Sequence, residues 1–121
     1  MLVPILDVAQ NWAVPRDARA RFSGTHFARR AAERGVTCLP GWALQWVVIE
    51  SLDRHRSDLI APVFDLNEGA TAYRIILPEG CFYPVVRASG AVMTIYNQEM
   101  MRRVRRGRRA RFKRTGVRVR G

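Results

Sequence analysis

Hydrophobic positions along the chain change their period twice, from helical to extended and back. A first helix is expected to begin near Pro15 or Thr25 and to run to Arg34, with Thr25 as a candidate N-cap and Gly35 just past the last turn. A second is expected from about Pro40 to Arg54, because proline is tolerated in a first helical turn. Within it Trp42, Trp46 and Ile49 stand at i, i+4 and i+7, the spacing of a core-facing stripe. Residues 1–15 read as a lead-in, since Pro4 and Pro15 oppose a continuous helix.

Beyond Leu59 the pattern becomes extended. Residues 59–66, 70–77, 81–87 and 91–96 are short runs rich in Val, Ile, Phe and Tyr. Asn67-Glu-Gly, Pro78-Glu-Gly and Ala88-Ser-Gly separate them, each short and glycine-containing as hairpin loops are. Four strands joined this tightly make an antiparallel meander, so the fold class expected is α+β, with two N-terminal helices packed on one face of the sheet. From Asn97 the pattern turns helical again and runs into a basic C-terminal helix or tail. The organisation expected is one domain over residues 1–101 followed by an Arg-rich tail over 102–121.

Composition narrows the class. An apolar fraction of 48% is ordinary for a folded domain and too high for a disordered chain. No run approaches the roughly 18 apolar residues that span a bilayer. The opening Met1–Leu6 has no basic n-region and Asp7 interrupts its apolar stretch, so a signal peptide is not expected and a cytoplasmic location is. Cys38 and Cys81 are far apart and outside any metal-ligand spacing, and are expected to be reduced and partly buried; no metal and no cofactor is expected.

Charge changes the picture most. Residues 102–121 hold ten Arg, one Lys and no acid, whereas residues 1–101 hold ten Arg and ten Asp or Glu. The whole net charge of +11 therefore belongs to the tail. A block of like charge repels itself and stays solvated until a polyanion meets it. Arginine's planar fork suits phosphate, and each phosphate neutralised releases counterions, so Arg102, Arg103, Arg105, Arg106, Arg108, Arg109, Arg111, Lys113 and Arg114 are candidate RNA-binding residues. Phe112 is the tail's one aromatic, which leaves little scope for stacking several bases. A basic helix covering the acidic surface of an antitoxin-like partner or of a larger assembly is the competing reading. The tail has too few large apolar residues for a membrane face.

Two segments carry a family resemblance. The stretch Thr25-His-Phe-Ala-Arg-Arg-Ala-Ala-Glu-Arg-Gly-Val36 and the run Ala91-Val-Met-Thr-Ile-Tyr96, placed around a meander, resemble a family of small bacterial domains allied to RelE-type toxins. The matching positions are His26, Arg30, Glu33, Arg34, Gly35 and Val36, then Val92, Thr94, Ile95 and Tyr96, and the run Tyr73-Arg-Ile-Ile-Leu77 is similar to that family's central strand. The resemblance spans about residues 22–98. It departs in the tail, in the lead-in and between Val36 and Leu59. It implies a RelE-like α+β fold, in a wider group that includes metal-independent endoribonucleases and members with no demonstrated activity.

The residues can support that chemistry. RNA cleavage without a metal needs a base for the 2′-hydroxyl, cations for the phosphorane and an acid for the leaving oxygen. His26, Arg30 and Arg34 stand at i, i+4 and i+8, one stripe of a helix. Histidine exchanges protons near neutral pH, so His26 is the candidate acid or base. Arg30, Arg34 and Arg87 are candidates for stabilising charge, and Tyr96 for giving a proton or stacking on a base. The same His26 can equally be a surface residue at a helix start, and the arginines a solvated face. Alternation in the last strand would put Thr94 on the face of Val92 and Tyr96, either core or cleft. His55 sits at a polar helix end. The functions expected are an RNA-binding endoribonuclease of toxin type, free or on the ribosome. A non-catalytic RNA-binding or ribosome-associated module, or a subunit of a nucleoprotein or phage assembly, remains open.

Overall fold

The structure, a computed structural model, describes residues 1–107. Its elements follow the order α1 (Ile5–Ala9), α2 (Ala18–Phe22), α3 (His26–Glu33), α4 (Gly41–Asp53), β1 (Ala61–Asp65), β2 (Ala70–Leu77), β3 (Gly80–Arg87) and β4 (Val92–Asn97). A further helix, α5, covers residues 98–107. The strands form one antiparallel sheet in the order β1-β2-β3-β4, the meander expected of their short connections. The fold is α+β, as the change of period implies.

The helical stretch before residue 35 divides in two. Ser23 and Gly24 end α2, and Thr25 opens α3 by turning extended and accepting the Ala28 N–H on its hydroxyl at 3.1 Å. That hydroxyl also lies 2.5 Å from Oε1 of Gln45, one of two buried polar side chains among the described residues, so the cap satisfies a core polar group of α4 as well. At the other end Gly35 takes φ +99°, and the Val36 N–H reaches back to the Ala31 carbonyl at 3.0 Å. This six-to-one closure needs the left-handed conformation that glycine adopts without strain.

Helix α4 is apolar on most sides. Leu44, Val48 and Ser51 lie deepest, while Trp42 and Ile49 of the expected stripe are half-buried beside buried Trp46. The reason lies in the neighbours: α2 and α3 pack on one side of α4, and Trp12 of the lead-in meets Trp46 edge-on at 6.3 Å. The helices approach closely at Gly41, where any Cβ would fall on the Ala28 carbonyl. The lead-in also carries one helical turn, α1, held because Ile5 is fully buried and the Val3 N–H donates to Asp58 at 2.8 Å. Each fully buried apolar side chain of this kind stabilises the fold by about 1.5–3 kcal/mol.

The sheet has two covered faces. Ile75, Leu77, Phe82 and Ile95 join the core under α1–α4. On the reverse face Ala70, Ala72, Tyr83 and Val85 pack with Met101 of α5, with Phe64, Met93 and Tyr96 at their margin. Helix α5 therefore crosses the second face, and Arg105 stacks over Phe64 of β1 at 6.0 Å. The change of composition at residue 102 falls inside this helix rather than at its start.

Two irregularities set the geometry of the last strand. Pro84 has no N–H to give β2, and the β2–β3 pairing is interrupted between Ala72↔Val85 and Ile75↔Phe82. A bulge in β4 lies opposite Val85 and Val86: Thr94 pairs with Val85, Val92 pairs with Val86, and Met93 is the extra residue. The bulge overturns simple alternation. Val92 packs towards the helices, whereas Met93 and Tyr96 pack on the reverse face, so Thr94 and Val92 do not share a side.

Candidate functional site

The candidate residues form two groups, one on each side of the sheet. The first is the stripe on α3. His26 is the first residue of the helix and is exposed. Arg30 donates from Nε to His26 Nε2 at 3.3 Å and from its terminal nitrogen to Glu33 at 2.5 Å. The hydrogen bond from Arg30 holds the Glu33 carboxyl below the usual carboxylate range.

Arg34, one turn further on, has a different task. Its guanidinium donates to the Ile95 carbonyl at 2.5 Å. Ile95 stands opposite Pro84 in the register, and β4 is an edge strand. The Arg34 guanidinium supplies the donor that a further strand would otherwise give to this edge carbonyl. It ties α3 to the sheet while His26 and Arg30 remain towards solvent.

The second group lies on the reverse face. Arg87, Thr94 and Tyr96 line a concavity of ≈ 280 Å³ together with Leu66, Asn67, Glu68, Ala70, Val85 and Met93. Alternation along β3 brings Val85 and Arg87 there, and the Met93 bulge turns Thr94 and Tyr96 to the same side. Small Ala70 leaves the depression in the floor. The Nε of Arg87 faces the Met93 sulfur at 2.8 Å, a weak acceptor. The structure thus brings Arg87 and Tyr96 together, and His26 with Arg30 and Arg34, but does not bring the two sets into one cleft. Asn67 and Glu68 were not singled out by sequence. Their signal was present in the Asn-Glu-Gly loop, where Glu68 takes the left-handed φ of +65°.

Of the basic residues, Arg102, Arg103 and Arg106 are exposed on α5 and Arg105 is half-buried against Phe64. Arg103 pairs with Glu99 one turn earlier at 3.0 Å. Arg108, Arg109, Arg111, Lys113 and Arg114 lie outside the described residues.

The remaining polar features are structural. His55 follows α4 with φ +55° and borders a smaller concavity of ≈ 220 Å³ with Ser51 and Arg56, whose guanidinium is held by Asp58 through two hydrogen bonds. Cys38 and Cys81 are free thiols, Cys81 partly buried as expected but Cys38 exposed. Partial desolvation of its sulfur together with the hydrogen bond to Glu79 pushes the Cys38 thiol up to about 11, far from a reactive thiolate at neutral pH. Among the described residues no three His, Cys, Asp or Glu side chains cluster as a metal would require, and no helix is long and apolar enough to cross a membrane.

Comparison with protein-family models, with curated proteins and with solved structures finds no match to this chain.

Proposed function

We propose that this protein binds RNA in the cytoplasm. The observation that supports this reading is the segregation of charge: a balanced domain of residues 1–101 and +11 in residues 102–121. Arg102, Arg103 and Arg106 carry the beginning of that block on the helix that covers the second sheet face. Phosphate attraction of this kind needs no sequence and acts over a long unpaired strand or a structured RNA alike.

The catalytic form of the proposal is metal-independent cleavage by a RelE-like endoribonuclease. His26 is the acid or base, exposed at the start of α3 beside the Thr25 cap and within hydrogen-bond reach of Arg30. Arg30 supplies positive charge to the phosphorane, while Arg34 acts mainly by fixing the helix against β4. Arg87 and Tyr96 engage the same strand on the reverse face. A ribosome-bound substrate and an antitoxin-like partner belong to this form of the reading. The non-catalytic form, an RNA-binding or assembly module, uses the same surfaces without His26 chemistry.

Total bacterial RNA incubated with the purified full-length protein in EDTA separates them. Fragments ending in 2′,3′-cyclic phosphate that vanish with His26→Ala are expected for the enzyme. Cleavage that survives His26→Ala but is lost with Arg87→Ala would move the active centre to the reverse-face concavity. Intact RNA retained by both proteins would leave binding as the function.

A further inference from the structure

The concavity on the reverse face has a chemistry of its own. Its floor is apolar, made by Leu66, Ala70 and Val85, and Tyr96 and Met93 form its sides. Its polar rim holds one carboxylate, Glu68, and one guanidinium, Arg87, with opposite charges. A bare phosphate is a poor fit, because Glu68 would repel it. A nucleotide suits all three features: a flat base for the apolar floor and aromatic wall, and a phosphate for the arginine. At ≈ 280 Å³ the space falls just under the roughly 300–1,000 Å³ typical of small-molecule sites, in keeping with a single base.

Glu68 decides which base. Among the described residues its carboxylate has no hydrogen-bond or ion-pair partner, and its backbone is held at φ +65°, a left-handed conformation that strains a residue with a Cβ. Gly or Asn would occupy that turn position more easily, so a glutamate there points to a use for the side chain. A carboxylate accepts two parallel N–H bonds. Guanine alone among the RNA bases offers two adjacent donors, N1–H and the N2 amine, on its pairing edge. Adenine and cytosine each place a ring acceptor beside their amine, and uracil flanks its single N–H with carbonyls. Those acceptors would face the carboxylate and be repelled.

We propose that this concavity takes an unpaired guanine of single-stranded RNA, with Glu68 reading its N1–H and N2 amine, Tyr96 stacking on the ring and Arg87 holding the flanking phosphate. The site rests on the RNA-binding reading and adds base selection to it. Arg87 suits the role because its Nε meets only the thioether of Met93, leaving its terminal nitrogens to a ligand. Helix α5 packs on the same face through Met101 and carries the exposed cations Arg102, Arg103 and Arg106, available to the phosphates of a strand whose guanine is seated.

The test uses full-length protein and fluorescent twelve-residue uridine oligonucleotides carrying one central guanine, adenine or inosine. All are 2′-O-methylated, so no cleavage through the 2′-oxygen interferes. The guanine probe is expected to bind roughly tenfold more tightly than the adenine probe, the size of one good bidentate contact. Inosine, which lacks the N2 amine, should fall between them. Glu68 is exposed, and Glu68→Gln should level guanine with adenine, because guanine loses the double acceptor while adenine is freed of the repelling carboxylate. Equal binding of all probes by the wild type would overturn the guanine site and leave RNA binding standing. A guanine preference that persists in Glu68→Gln would also overturn it, by placing selection elsewhere. Failure to bind any probe would remove the RNA-binding reading itself, and the pocket with it.

Discussion

At the scale of single residues, three arginines that look alike in sequence do three different things. Arg30 orders His26 and pairs with Glu33, Arg34 caps a carbonyl of an edge strand, and Arg87 stands in a concavity against a thioether. The helical spacing of His26, Arg30 and Arg34 was legible because it depends on local geometry alone. That Arg34 points at Ile95 was not, since the contact joins residues 61 positions apart and depends on how α3 docks on the edge strand. The distinction has a measurable consequence. Arg34→Ala removes a charge-assisted bond to the backbone and is expected to cost about 1–2 kcal/mol, discounted for its partial exposure. Arg30→Ala, whose partners are exposed side chains, is expected to cost under ~0.5 kcal/mol. Urea unfolding of the two variants checks this: equal stabilities would mean that Arg34 is not a tie to β4.

At the scale of elements, the strands were readable because four short runs are rich in Val, Ile, Phe and Tyr and short glycine-containing loops separate them. Two features were hidden. Pro84 argues against a central strand, yet β3 is central, its cost reduced to an interruption of the β2 ladder. A helix was expected from Asn97, but not that α5 packs on the sheet, because Arg102–Arg106 outnumber the apolar residues around buried Met101. A third link crosses elements: Glu79, in the β2–β3 turn, accepts from the Thr37 N–H at 2.5 Å, the Thr37 hydroxyl at 2.9 Å and the Cys38 N–H at 2.7 Å. Desolvation pushes the Glu79 pKa up, but these hydrogen bonds together outweigh it and hold it at about 2. A carboxylate in the unfolded chain titrates near ~4.3. Because the folded value is lower, the Glu79 contribution is complete above the unfolded pKa and is lost as the pH falls towards 2. Glu79→Gln is therefore expected to be less stable than wild type at pH 7 and to converge with it between about pH 4.5 and 2. Denaturant midpoints across that range would show it, and a gap constant with pH would assign the clasp to shape rather than charge.

At the scale of the whole molecule, charge and shape are organised separately. Residues 1–107 place two groups of polar residues on opposite sides of a sheet, whereas the net charge lies in residues 102–121. Residues 108–121 hold seven of the cations and no acid, so a chain ending at residue 107 retains a net charge of +4. All the side chains named in the two candidate groups lie before that point, and so does Met101, the buried anchor of α5. Truncation after residue 107 should therefore leave thermal stability nearly unchanged and weaken RNA binding by an electrostatic term alone. For single-stranded RNA, log affinity falls with log salt concentration by about 0.7 for each phosphate neutralised. If all seven cations engage phosphates, the slope should become shallower by up to ~5, and the truncated and full-length affinities should converge as salt rises. Fluorescence anisotropy between low and moderate salt reads both quantities. A slope that did not change would mean that the seven cations touch no phosphate, and the balance would swing to the competing use of a basic segment, docking on the acidic surface of a protein partner. A shallower slope with the guanine preference intact would show instead that attraction and selection reside in different parts of the same chain.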